Sequence, residues 1–150
     1  ESGWEDALAE TTVESGGRGL EIVRNIVTAR AGGTVERASA RQWLEANIGE
    51  STPPWLEAWL RCAIGRSLLV ESDPELRRAG VIELLHLPAR LGEVHPYLAG
   101  LALAECVIAL DLLGMTETAN DLHEKLLDQH PNHPATEWPP VRDRIIRSTS

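Results

Sequence analysis

The stretch GLALAECVIALDLLGMTETANDLHEKLLDQHPNH, residues 100–133, decides the fold. Its first half, through Leu110, is apolar on almost every side, as expected of a helix covered by several neighbours. Glu105 interrupts the run and Asp111 follows it, and even counted from Tyr97 it falls short of the ~20 apolar residues that span a bilayer. Gly114 fits a helix C-cap, where positive φ is wanted. Thr116 is expected to cap the next helix, which carries Ala119, Leu122, Leu126 and Leu127 on one face. His130-Pro131 and His133-Pro134 end that helix, because a residue preceding Pro disfavours helical geometry. The segment is therefore a helical hairpin.

Working outward, the same punctuation recurs. Gly19–Ala31 places Leu20, Val23, Ile26 and Val27 on one face and stops at Gly32-Gly33. A second helix from Thr34 carries Val35, Ala38, Trp43, Leu44 and Ile48 and stops at Gly49. Ser51-Thr52-Pro53-Pro54 and Asp73-Pro74 each set a polar cap before a Pro that loses no needed donor at a helix start. They open helices over about 53–70, with Trp55, Trp59, Cys62, Ala63 and Arg66 at helical spacing, and to about Leu87. Pro88–His95 reads as a longer loop, and His95-Pro96 begins the helix quoted first. Trp138-Pro139-Pro140 precedes a short last helix through Ile145 and Ile146. No window alternates as a strand does. The fold class is all-α, with about three antiparallel hairpins in one domain over 1–150. Residues 1–18 and the tail 135–150 stand outside the hairpin pattern; Trp4, Ala7 and Leu8 could open one more turn or helix, which Ser15-Gly16-Gly17 interrupts.

Serial hairpins raise the question of an internal repeat. Leu103, Cys106, Val107 and Leu110 fall on the large, small and bulky positions of a first helix. Gly114 falls at the turn, Ala119 and Leu126 on the second helix, and Pro131 closes the unit. This segment resembles a tetratricopeptide repeat, whose period is about 34 residues. In the preceding pair, Trp59, Cys62 and Ala63 align with Leu103, Cys106 and Val107, while Ala79, Leu84 and Leu85 need extra loop residues; the first pair matches only in helical pattern. The resemblance implies a short α/α superhelix in which neighbouring hairpins cover one another. It also implies that first helices line a concave groove for a peptide or protein. In that register the partner-binding residues are Glu57, Leu60, Arg61 and Ile64, matched by Leu101, Ala104, Glu105, Ile108 and Asp111. Ala63 and Cys106 become the small residues where helices approach closely.

Composition narrows the chemistry. The 150 residues hold five Trp, one Tyr and no Phe, so the core rests on Leu, Ile, Val and Ala with a few Trp anchors. A formal charge of −9 with scattered Arg argues against nucleic acid, which needs clustered basic residues. The group Arg142, Arg144 and Arg147 reads as a solvated tail. Cys62 and Cys106, far apart in apolar patterns, read as two small buried side chains; a disulfide between neighbouring helices needs a geometry that sequence does not supply. No metal or cofactor site is expected: His123-Glu124 fails the HExxH pattern because residue 127 is Leu. His130 and His133 read as polar turn residues. Gly16-Gly17-Arg18-Gly19 lacks the Lys-Ser/Thr end of a phosphate loop, and no nucleophile elbow or dinucleotide glycine pattern occurs.

The expectation is a non-enzymatic binding module for a protein or peptide. The alternative is a structural or self-associating accessory domain of a larger bacterial enzyme or envelope protein, with Trp4, Trp43 and Trp138 covering its ends or making a homodimer contact. The start at Glu1 rather than Met suggests an excised domain or a processed protein. A single Lys and no Phe suit a high-GC bacterial gene, and divergent repeats closed by Tyr/His-Pro turns resemble those of bacterial envelope proteins, which leans the location to the periplasm or envelope.

Overall fold

Four of the expected helix boundaries follow directly from local chemistry. Asp73 accepts a hydrogen bond from the Glu75 backbone N–H at 2.9 Å, with Pro74 in the first turn. His95 accepts from the Leu98 N–H at 3.4 Å ahead of Pro96. Gly32 ends one helix, and Gly33 begins the next with the Glu36 carboxylate accepting its N–H. Gly114 has φ of +75°, with Met115 N–H bonded to Leu110 C=O and Gly114 N–H to Asp111 C=O. That pair of bonds is a Schellman motif, which satisfies carbonyls that a helix end leaves open.

The structure is a computed structural model that describes residues 17–144. Its helices are α1 (Arg18–Ala31), α2 (Thr34–Ala46), α3 (Pro54–Leu69), α4 (Pro74–His86), α5 (Pro96–Leu112), α6 (Thr116–Gln129) and α7 (Pro139–Arg142), with a 3-10 turn at Pro134–Glu137. No strand occurs among the described residues. The expectations placed on Trp4, Ala7, Leu8, Ile145, Ile146 and Arg147 lie outside the described residues.

Three hairpins form, α1–α2, α3–α4 and α5–α6, and they stack in order: α3 packs on both α1 and α2, and α5 on both α3 and α4. The first interface buries Ala29, Ala40, Leu44, Leu60 and Ile64. The second gathers Ala58, Cys62, Val81, Leu84, Leu98, Ala102 and Cys106. The third joins Leu103, Ala104 and Leu126 to Ala135 and Val141 of the C-terminal turn and α7. Each hairpin thus finds cover on its neighbour, as a lone amphipathic pair could not.

Two local expectations are corrected, and one close approach is added. Residues Leu87–Leu91 form a π-helical turn rather than a loop, with Leu87 and Leu91 buried. Pro88 has no N–H for the Leu84 carbonyl, which instead takes the Leu87 N–H, and the chain widens into the looser turn. Thr116 is the first residue of α6 and makes no capping bond; likewise the Thr52 hydroxyl serves the preceding turn, accepting from Gly49 N–H and donating to Asn47 C=O. A close helix approach that the pattern did not single out lies at Gly65 and Gly80, while Ala63 is partly buried against the first core cluster. A Cβ on Gly65 would stand 2.6 Å from Leu84 Cγ, and one on Gly80 2.9 Å from the Gly65 carbonyl oxygen. Cys106 does sit at a helix contact, its thiol facing the Val81 carbonyl at 3.7 Å.

Candidate interaction surface

Helix α3 carries two apolar stripes, and the structure decides which is buried. Leu56, Leu60, Ile64 and Leu68 turn inward to the first hairpin. Trp55 and Trp59, one turn apart, stay outside, 56% and 42% exposed. Two indoles left half in water on one helix face are costly surface for a chain with five Trp. Ala63 and Arg66 continue the same stripe at helical spacing.

The stripe is joined to its neighbours. The Arg66 Nε donates to Glu105 Oε1 on α5 at 2.9 Å, and Arg30 on α1 reaches the Arg66 carbonyl at 3.4 Å. The His95 ring stands edge-on to Trp59, with centroids 5.4 Å apart. On α5 the outward line runs through Tyr97, Glu105, Ile108 and Leu112, of which Leu112 is 72% exposed. On α1 the half-exposed Val23 leads by helical spacing to Arg30. Arg30, Arg66 and Glu105 thus tie the first helices of the three hairpins to one another.

The residues expected to line a groove divide. Leu60, Ile64 and Leu101 are buried in the interfaces between hairpins and Ala104 against the C-terminal turn and α7, all at 8% exposure or less. Glu57 and Arg61 face α4 and the π turn: Glu57 Oε1 accepts from Arg61 Nε and from Arg90, both at 2.7 Å, and Arg61 donates to Glu83 at 2.6 Å. The Arg61 hydrogen bond, with Arg90 behind it, outweighs burial and holds the Glu57 carboxyl below its usual range. Glu105 and Ile108 lie on the outward line, Glu105 as the partner of Arg66. Asp111 pairs with Arg144. Ile108, Asp111, Leu112, Pro139 and Pro140 share a shallow cleft of about 260 Å³. The charged candidates are thus ties between helices as much as surface groups. On α3 the repeat register assigned Trp59 to the core, so the exposed indoles were missed. The signal that could have found them is the competing Leu56-Leu60-Ile64-Leu68 stripe, which is the more regular of the two.

A second cluster of charge fixes the hairpins to each other. Glu71, in the α3–α4 turn and 5% exposed, accepts from Arg37 Nε and Nη2 at 3.0 Å and from Arg41 Nη1 at 2.8 Å. Arg41 also donates to the buried Ser67 hydroxyl at 2.9 Å. The Arg37 hydrogen bonds, seconded by Arg41, hold the Glu71 carboxyl down at about 2. This bidentate arrangement is structural glue between α2 and the second hairpin.

Among the described residues, no three His, Cys, Asp or Glu side chains gather to hold a metal ion, and no helix is long and apolar enough to cross a membrane. Cys62 and Cys106 are free, buried thiols in one core cluster. Burial pushes Cys62 up to about 11 and Cys106 higher still. His133, expected as a polar turn residue, is 8% exposed and bonded at both ring nitrogens. No protein-family model, curated protein or solved structure matches this chain.

Proposed function

We propose that this chain is a tetratricopeptide-like interaction module that holds a peptide or an exposed segment of a partner protein across its first helices. The observation that carries this reading is the Trp55–Trp59 stripe, linked through Arg66–Glu105 to α5. Half-exposed indoles on a rigid helix are the side chains most enriched at binding hot spots, because they bury large areas for little lost entropy. The Arg66–Glu105 pair beside them offers both charge signs to a polar backbone or to mixed-charge side chains. Rigid stacking of three hairpins holds these groups in fixed register, and a protein partner also suits the net acidity better than a phosphate polymer does.

The test is selection of binders from a displayed random-peptide library on the immobilised chain, followed by titration on variants. Peptides selected on the wild type should weaken at least about tenfold on W55A/W59A, roughly the effect of a hot-spot residue. They should bind Ile82→Lys, an exposed site on α4, as tightly as wild type. Peptides that bind W55A/W59A unchanged would overturn the assignment of this surface.

A further inference from the structure

The chain is acidic, with a formal net charge of −9, yet the Trp55–Trp59 stripe carries a positive excess. Along it stand two guanidiniums, Arg66 on α3 and Arg30 on α1, against one carboxylate, Glu105. Glu105 takes a single bond from the Arg66 Nε, and the Arg66 side chain is 33% exposed. Arg30 is exposed, and its bond is a long one, 3.4 Å, to the uncharged backbone carbonyl of Arg66. One positive charge is therefore left over beside two half-exposed indoles. An occupant that fits has apolar side chains for the indoles and carboxylates for the guanidiniums.

A segment of that composition precedes the described residues. Residues 1–16 hold five carboxylates and no Lys or Arg, and Trp4, Ala7 and Leu8 recur among them at helical spacing. The described chain begins beside the same stripe. Arg18, Gly19 and Ile22 at the start of α1 share a shallow cleft of about 240 Å³ with Pro53 and Leu56, which flank Trp55 in sequence at the start of α3. The stripe from Trp55 to Arg66 runs about 16 Å along the helix axis, and a 16-residue segment spans about 24 Å even when fully helical. Reach, charge and apolar content all match.

We infer that residues 1–16 are a tethered occupant of this stripe, covering Trp55 and Trp59 with the apolar side chains around Trp4 and Leu8 and turning carboxylates toward Arg30 and Arg66, so that an external partner has to displace them. The inference rests on the binding surface proposed above and adds its regulation. Tethering makes the contact intramolecular, at an effective concentration on the order of 1 mM for a short connection. A segment with an affinity of about 0.1 mM as a free peptide would then weaken an external peptide roughly tenfold.

Paramagnetic relaxation on the full chain tests the location. With a nitroxide on Ser2→Cys, and the buried Cys62 and Cys106 left unlabelled, the indole signals of Trp55 and Trp59 and the Ala63 amide should broaden. The broadening should fade once Trp4→Ala and Leu8→Ala are added. Indoles that stay sharp, or broadening centred instead on Val35 and the outer face of α2, would overturn the tether. So would broadening passed from nitroxide-bearing chains to isotope-labelled chains without one, which would make a second copy the occupant. Library-selected peptides should bind W4A/L8A about tenfold more tightly than wild type. A second variant, Glu5→Gln with Asp6→Asn and Glu10→Gln, keeps the apolar side chains and should give a severalfold gain. Equal affinity in wild type and both variants would overturn the competition while leaving the binding surface standing. Peptides indifferent to W55A/W59A would overturn that surface itself, and with it the regulation.

Discussion

Replacing Glu71 with Gln removes one charge and almost no volume, which isolates the electrostatic tie between the first two hairpins. The carboxylate accepts three hydrogen bonds, two from Arg37 and one from Arg41. A Gln amide offers one oxygen and turns an NH2 donor toward a guanidinium. Arg41, 8% exposed, keeps the Ser67 hydroxyl but loses its counter-ion. Orphaning one member of a fully buried pair costs roughly 3–5 kcal/mol. Here the Arg37 side chain is 17% exposed, so water recovers part of that loss. The depressed carboxyl gives a second route to the magnitude. A value of about 2 in place of 4.5 corresponds to about 3 kcal/mol at full weight, which solvent screening reduces to about 2. Both routes converge on about 2–3 kcal/mol, or about 5–10 °C in Tm for a domain of this size. Circular dichroism melts of wild type and E71Q should show that gap at pH 7. Because the folded carboxyl is depressed, its contribution is complete above about pH 4.5 and disappears as pH falls toward about 2. The gap between the two proteins should close over that interval, while the other carboxylates titrate alike in both. A Tm within 1 °C of wild type at pH 7, or a gap undiminished at pH 2, would refute the reasoning.

Two further predictions concern packing and thiols. Gly65→Ala gains about 1 kcal/mol of helix propensity, but its Cβ meets Leu84 Cγ at 2.6 Å and the Gly80 carbonyl oxygen at 3.1 Å. Overpacking costs about 1–3 kcal/mol, so urea denaturation should show net loss, whereas Gly19→Ala, with nothing within 4 Å, should be neutral or stabilising; stabilisation by both would contradict the close crossing. With its thiol held at about 11, Cys62 has roughly one thiolate in a few thousand molecules at pH 7.5. Both cysteines should therefore resist a maleimide until denaturant opens the core, and a full equivalent labelled within minutes of mixing with native protein would contradict their burial.

The helices were legible because their ends are written in local chemistry. Asp73-Pro74, His95-Pro96, Gly32-Gly33 and Gly114 act through bonds within a few residues, so sequence alone places them. The π turn after His86 was not, since Pro88 ordinarily signals a break; only the burial of Leu87 and Leu91 draws the chain back into helical form. Glu105 and Ile108 lie partly exposed on the outward line of α5, a position their helical spacing gives. The orientation of α3 was not legible, because a helix with two apolar stripes has two possible orientations, and the choice between them is made by α1 and α2, the helices of the preceding hairpin. His133 hides for the same reason. Its burial depends on the notch at Gly100, 33 positions earlier, and no local pattern links the two.

The measurement that bears most directly on the central claim is chemical-shift mapping of a library-selected peptide on the isotopically labelled chain. The account predicts that the largest changes fall on the indole N–H signals of Trp55 and Trp59 and on backbone amides around Ala63, Arg66 and Glu105. The outer faces of α4 and α6 should stay still. Changes concentrated on α4 or α6, with both indoles unmoved, would contradict it.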